Sequence, residues 1–282
     1  MDSSTESGKK LKTPILISVI LLMSFMTSSC FLLPRCNGAF LYLVSVNDKY
    51  GYIDSTGKMV IAPQFRLARD FSEGLAAVLV EGKGYGFIDE KGQMIIKPEF
   101  DFADDFSEGL ARVISRGKNY FIDQKGQIVI ETNFFQALSF HDGLARVYSK
   151  EKGKWGFIDK SGELAIDLQF DDALNFSEEL APIYMKIHSR GKWGFVDKRG
   201  QVVIPPQFDL VSPFSEGLAA VELDKKWGYI DRRGQMVINP QFTYAESFSQ
   251  GLAKVGIGGR FGYIDHWGNF VWQYSESNHS FP

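Results

Sequence analysis

The chain is nearly without cysteine. Of its 282 residues only Cys30 and Cys36 are cysteines, and both lie in the first 36. The remaining 246 residues (282 minus 36) have none. This excludes a disulfide framework, a cysteine metal site and a cysteine nucleophile from the main part of the chain. Histidine is equally sparse: His141, His188, His266 and His279 fall at unrelated positions, with no pair at metal-ligand spacing. An excess of positive charge is lacking too, and a net charge of −3 excludes a broadly basic nucleic-acid surface. There is no Gly-x-Ser-x-Gly, no phosphate-cradling Gly-x-x-x-x-Gly-Lys and no dinucleotide fingerprint. The expectation is a protein that is not an enzyme and uses no cofactor. What is present points to short strands and tight turns: 14% aromatic residues and 28 glycines. An apolar fraction of 44% excludes a disordered chain.

The first 36 residues read differently from the rest. Lys9, Lys10 and Lys12 precede an uncharged run from Ile15 to Met26, followed by Thr27, Ser28, Ser29 and Cys30. Basic, apolar, then small residues is the order of a secretory signal. The small residues before Cys30 point to lipid attachment there, as in bacterial lipoproteins, although Thr27 stands where such signals usually carry Leu. The competing reading is an uncleaved anchor. Ile15 to Leu33 is 19 uncharged residues, which as a helix spans roughly 28 Å at ~1.5 Å per residue. The lysines would keep that end in the cytoplasm. Both readings place the rest of the chain, residues 37–274 and a loose tail 275–282, on the outer side of a bacterial membrane and tethered to it.

Within residues 37–274 the sequence repeats. Asp54, Asp89, Asp123, Asp159, Asp197, Asp231 and Asp265 are spaced by 34 to 38 residues, and each is followed three residues later by Gly. Asp-x-x-Gly is turn chemistry: Asp caps the turn, and Gly accepts positive φ at its end. Eleven residues after each of the first six Asp stands Phe, and six later a second Phe, from Phe65 and Phe71 to Phe242 and Phe248. Five residues further stands Ala, from Ala76 to Ala253. All variation in length falls between the second Phe and the next Asp, an interval of 17 to 21 residues. Fixed intervals mark side chains that meet in a core, and variable ones mark solvent loops.

Each unit reads as an antiparallel meander: a strand like Leu218–Glu222, a tip, a strand Trp227–Asp231, the Asp-x-x-Gly turn and a strand Met236–Ile238. The stretch between the two Phe is a fourth short strand or one helical turn. The expected fold is all-β, with seven antiparallel three- to four-stranded units of about 35 residues, β-propeller-like or, alternatively, an open β-solenoid. The variable tips are expected on one side of the protein.

Lys154-Trp155-Gly156-Phe157-Ile158-Asp159, Lys192-Trp193-Gly194-Phe195-Val196-Asp197, Lys226-Trp227-Gly228-Tyr229-Ile230-Asp231 and the Phe-Ser-Glu-Gly-Leu-Ala strings at Phe71, Phe106 and Phe214 resemble the WG-repeat family of bacterial proteins. The resemblance covers about residues 41 to 272. It implies a β-rich repeat array, often exported or joined to other domains, without a defined activity or family-wide catalytic residues. Tyr50, Tyr85 and Phe261 replace Trp, Asn119-Tyr120 replaces the Trp-Gly pair, and Glu179 stands where the Phe-Ser-Glu-Gly strings have Gly. If that position has positive φ, Glu179 is strained.

The Trp/Tyr-Gly pairs are possible sugar platforms, but their fixed spacing reads as packing. Glu73, Glu108, Glu178 and Glu216 read as turn residues. Asp104-Asp105 and Asp171-Asp172 lack EF-hand spacing and read as solvated acids. The expected function is an envelope-tethered, non-enzymatic protein-binding or scaffold module. Its contacts come from the longest and most basic tips, Ser149 to Lys154 and Lys186 to Lys192, through Lys150, Lys152, Lys154, Lys186, Arg190 and Lys192. The alternatives are a cell-wall or glycan binder using aromatic–Gly hairpins, and a propeller enzyme with acids converging at the blade centres. The expected partners are the membrane, through the N-terminal anchor or lipid, and an unidentified protein or glycan, with no nucleic acid.

Overall fold

A computed structural model describes residues 40–187 and 190–273. The expected export segment 1–36 with Cys30, and the tail 275–282, lie outside the described residues. All regular structure among the described residues is β: seven antiparallel sheets follow one another along the chain. The first has three strands, Tyr42–Val46, Lys49–Ile53 and Met59–Phe65, and each of the other six has four. In the second sheet these are Leu67–Ala68, Leu75–Val80, Gly84–Asp89 and Met94–Phe100, hydrogen-bonded in that order. The architecture is the expected propeller-like succession of small meanders.

The stretch between the two Phe is a strand, not a helical turn. It has two residues and pairs forward, with the sheet that follows: Leu67 opposes Leu79 and Ala68 opposes Val78. Only Arg66 separates it from the third strand of the sheet before. Each unit therefore lends a strand to its successor.

The core lies between consecutive sheets. Tyr52, Ile61 and Phe65 of the first sheet pack on Ala76, Val78 and Ile88 of the second. Five further clusters repeat this across the later pairs. The second Phe packs edge-on or tilted against the middle aromatic of the preceding second strand: Phe87–Phe106, Phe121–Phe140, Phe157–Phe176, Phe195–Phe214 and Tyr229–Phe248 all have ring centroids 4.9 Å apart. These rings are buried, and aromatic pairs at this separation add to the energy of their area. The fixed Phe-to-Phe interval is the chain length needed to bring the second ring over the first. The Ala series, Ala76 to Ala253, is fully or almost fully buried against the neighbouring sheet.

Two glycine positions are steric. At each Asp-x-x-Gly turn the carboxylate accepts the backbone N–H two and four residues on, as Asp231 does from Arg233 at 2.9 Å and Gln235 at 2.8 Å. Gly234 closes that turn with φ +79°, and a Cβ there would lie 3.1 Å from Ile204 of the preceding sheet. Gly57, in the first unit, has φ +81° and meets nothing within 4 Å. The glycine of each Trp/Tyr-Gly pair answers a different demand. Trp227 opposes Phe242 and Tyr229 opposes Ile238, so the third strand bulges opposite Gly228. A Cβ on Gly228 would sit 2.4 Å from the Ile238 carbonyl oxygen. The third unit lacks this glycine and lacks the bulge there: Asn119, Tyr120 and Phe121 oppose Thr132, Glu131 and Ile130 one to one. Its third strand ends at Thr132 where most others run seven residues to Phe. The prolines of the third strands, such as Pro98, Pro206 and Pro240, lie on sheet edges, where a missing N–H is tolerated and further strand pairing is discouraged.

Candidate functional site

Antiparallel connectivity sorts the turns to two ends of the array. One end carries the Asp-x-x-Gly turns and the Ser-Glu-Gly turns. The other carries the variable hairpin tips and the links between third strand and lent strand.

At the first end the polar groups are spent on joining units. Each Ser-Glu-Gly is a two-residue turn with positive φ at both central residues, as at Glu73 (52°) and Gly74 (82°). Its carboxylate accepts the third backbone N–H of the next turn. Glu73 takes Gly109 at 2.9 Å, Glu108 takes Gly143 at 2.9 Å and Asp142 takes Glu179 at 2.9 Å. Glu178 takes Gly217 at 3.0 Å and Glu216 takes Gly251 at 3.0 Å. The serine hydroxyls of Ser72, Ser107, Ser177 and Ser215 donate to the carbonyls of Phe106, Phe140, Phe214 and Phe248 at 2.6 to 2.7 Å. Neighbouring turns add Lys160–Glu108 at 3.3 Å, Arg232–Glu178 at 3.0 Å and His266–Glu216 at 3.2 Å. Read from sequence as local turn residues, these glutamates also form a ladder between units.

Two members break the ladder's rule. Glu179 occupies a glycine position with φ +73°, a conformation costing a non-glycine residue about 1 kcal/mol. Its ion pair with Lys198 is on the surface, with the carboxylate side chain 70% exposed, and offsets little of that. Replacing Glu179 by Gly is expected to raise the urea midpoint by the equivalent of about 0.5 kcal/mol; a lower midpoint would contradict the strain. His141 stands where the others have Ser. Burial pushes its pKa below the ordinary histidine range, with Arg146 adding to this and Glu108 opposing it. Because the unfolded chain then binds the proton more readily, stability falls as pH drops below about 6.5. His141→Ser is expected to shrink the loss of stability between pH 7.5 and pH 5. An unchanged loss in chemical denaturation would clear His141 of that role.

At the second end the tips are held by the lent-strand links. Asp101, Asp171 and Asp209 accept the backbone N–H of Arg116 (2.7 Å), Lys186 (2.8 Å) and Asp224 (3.1 Å). The same acids hold two of the sequence-selected cations: Lys154 pairs with Asp171 at 2.8 Å, and Lys192 with Asp209 at 2.5 Å. The ammonium of Lys150 lies 5.2 Å from the Phe135 ring centroid. Lys150, Lys152, Lys186 and Arg190 are exposed, whereas Lys154 and Lys192 are half-buried. The stretch Lys186 to Lys192 is mostly strand: the fifth sheet extends Leu180–Ile187 against Arg190–Asp197, with Lys186 opposite Gly191 and Ile187 opposite Arg190. The variation in length seen there is a longer arm, with residues 188–189 outside the described set. The four-residue tip 150–153 belongs to the fourth sheet and this arm to the fifth, both at the tip end of the array.

The other candidates are occupied or scattered. The Trp155 ring sits under Arg146 at 5.4 Å and beside Tyr148 at 5.2 Å, and Trp193 beside Tyr184 at 5.3 Å. Asp104 is held by Arg112 at 2.7 Å and Arg69 at 3.2 Å. Among the described residues no group of three or more His, Cys, Asp or Glu is placed to hold a metal ion, and no helix is long and apolar enough to cross a membrane.

Among solved structures the chain is similar to Hsv2p of Kluyveromyces lactis, with 11% identity, 79% of this chain and 88% of that one covered, and a TM-score of 0.49. It is also similar to a eukaryotic initiation factor, at 11% identity with 83% and 85% covered and a TM-score of 0.47. A third likeness is to PorZ, a bacterial surface component of the type-IX secretion system of Porphyromonas gingivalis, at 9% identity and a TM-score of 0.42. It covers 86% of this chain but 38% of that one. At such identities and TM-scores these likenesses assign nothing to the chain. No curated protein matches it. The WG containing repeat matches residues 50–83, 85–118, 121–152, 155–186, 193–227 and 227–261, on the strands and turns described above, and the chain belongs to the WG-repeat family.

Proposed function

We propose that this is a non-enzymatic binding or scaffold module, tethered to the outer side of a bacterial membrane, which captures a protein partner through its hairpin tips. The observation that carries the reading is the division of labour between the two ends. The Ser-Glu-Gly end commits carboxylates and hydroxyls to the next unit's backbone, while the tip end differs from unit to unit and keeps exposed cations. Lys150, Lys152, Lys186 and Arg190, on neighbouring sheets, favour an acidic face on the partner. Trp155 and Trp193 are engaged within their own sheets, which supports contact through the tips over contact through those rings. Residues 1–36 supply the tether in this reading, by lipid on Cys30 or by an uncleaved span.

The test is capture from the protein's own envelope with the full chain and with a Lys150→Glu, Lys152→Glu, Arg190→Glu variant. Loss of the captured partner at an unchanged melting temperature is expected. Undiminished capture by the variant would reject the tip reading, and co-sedimentation with purified peptidoglycan at equal strength would transfer the function to glycan binding.

A further inference from the structure

The third unit breaks the repeat in several places, and the breaks meet at one surface position. Asn119 replaces Trp, the third strand ends at Thr132, and the link that follows carries Phe135. At the same place in the other links stand Arg66, Asp101, Asp171, Asp209 and Thr243. Asp101, Asp171 and Asp209 each accept the backbone N–H 15 residues on, in the tip of the sheet that receives the lent strand. The residue at that distance from Phe135 is Lys150, and a phenyl ring has no carboxylate to hold it. The ring is instead 56% exposed. The Lys150 ammonium lies 5.2 Å from its centroid, and Tyr148 meets it edge-on at 6.4 Å.

The corner that presents Phe135 is fixed from behind. The Asn119 amide, buried, donates to the carbonyls of Phe134 at 3.3 Å and Phe135 at 3.5 Å, and accepts from Arg112 at 3.1 Å. Arg112 is in turn held by Asp104 at 2.7 Å. The indole that other units carry at this place has one donor and no acceptor, so it could not make this set of bonds. Tyr148 rests on Trp155 at 5.2 Å. An exposed ring on a rigid support offers a partner apolar area at little cost in ordering, the character of an interface hot spot. Its charged surroundings select the partner. The exposed tip beside it carries Lys150 and Lys152 against Glu151, while Lys154 is already paired with Asp171 at 2.8 Å. We propose that Phe135, Tyr148 and Lys150 form the anchor of the partner surface and receive an apolar side chain flanked by carboxylates, from an acidic segment of another protein. The ring takes the apolar side chain, and Lys150 and Lys152 take the carboxylates. Ammonium groups match carboxylates better than they match the neutral hydroxyls of a sugar. The inference rests on the reading of the tips as the binding end and adds to it the residue that anchors the contact.

The test uses two fluorescein-labelled peptides, Asp-Glu-Trp-Glu-Asp and Asp-Glu-Ala-Glu-Asp, titrated against the full chain by fluorescence anisotropy. The parent is expected to bind the Trp peptide roughly tenfold more tightly than the Ala peptide. Phe135→Ala and Phe135→Asp are expected to bind both peptides alike, at the affinity of the Ala peptide and with the parental melting temperature. Phe135→Asp supplies the carboxylate found in three other links, so it separates loss of the ring from loss of the fold. The Lys150→Glu, Lys152→Glu variant is expected to lose both peptides. Equal affinity of the parent for the two peptides would overturn the anchor and leave the tip reading standing on its charges. A Trp preference that persists in both Phe135 variants would overturn the anchor as well. Binding of neither peptide by the parent would overturn both readings. Co-sedimentation with purified peptidoglycan that Phe135→Ala abolishes would assign the ring to a glycan and overturn the protein partner.

Discussion

Gly228→Ala is expected to destabilise the protein by about 3 kcal/mol, more than most single methyl additions to a surface-near strand. The added Cβ falls 2.4 Å from the Ile238 carbonyl oxygen and 2.8 Å from the Pro240 nitrogen. Both are backbone atoms and cannot rotate away. Relief requires the third strand to lift, and that strand carries Ile238 and Phe242, which are 3% and 1% exposed. The bulge opposite Gly228 also sets which side Phe242 falls on, so the loss reaches the packing against the seventh sheet. Gly82→Ala is the control. Gly82 has φ +71° but nothing within 4 Å of a new Cβ, so only the backbone preference, about 1 kcal/mol, is lost. Urea denaturation of both variants checks the comparison; equal losses would show that φ, and not close approach, explains the Trp-Gly pair.

Much of this was legible because a repeat is its own alignment. Seven Asp-x-x-Gly turns read as turns and are turns, with the carboxylate bonds that the chemistry implied. The Phe intervals read as core and are core. The fourth strand was legible only as a choice, because two residues carry no periodicity and the partner belongs to the next unit. The bulge opposite Gly228 was hidden for a related reason: the sequence shows a glycine, whereas the need for it lies ten residues away at Ile238. The unit that lacks both glycine and bulge, at Asn119-Tyr120, shows the connection once the register is known. The tips read as variable loops; 150–153 joins two strands, whereas Lys186, Ile187 and Arg190 to Lys192 belong to a lengthened strand pair. Alternation there is masked by lysine and arginine, which suit loops and exposed strands equally. The ladder role of Glu73, Glu108, Glu178 and Glu216 was out of reach, since their partners are backbone N–H groups about 35 residues on.

A division of each unit into a fixed ruler and one elastic tip is the claim on which the rest stands. Two single-glycine insertions in the sixth unit separate the two parts. One goes between Asp224 and Lys225, in a two-residue turn with φ 49° and 63°. Equivalent tips elsewhere already run to four residues at 150–153, and closing a slightly longer loop costs only a fraction of about 0.6 kcal/mol. The other goes between Ile238 and Asn239, inside the invariant Asp-to-Phe interval of 11 residues. A one-residue slip turns Phe242 from the core face to the solvent face. It also displaces Phe248 from Tyr229, an edge-to-face pair with centroids 4.9 Å apart. Losing a buried Phe costs about 3 to 5 kcal/mol, and two rings are affected here. The direct measurement is amide hydrogen exchange, strand by strand, on both variants and the parent. The account predicts parental protection throughout for the tip insertion, and loss of protection in Met236–Phe242 and in the strands of the seventh sheet for the ruler insertion. Equal protection in the two variants would contradict it.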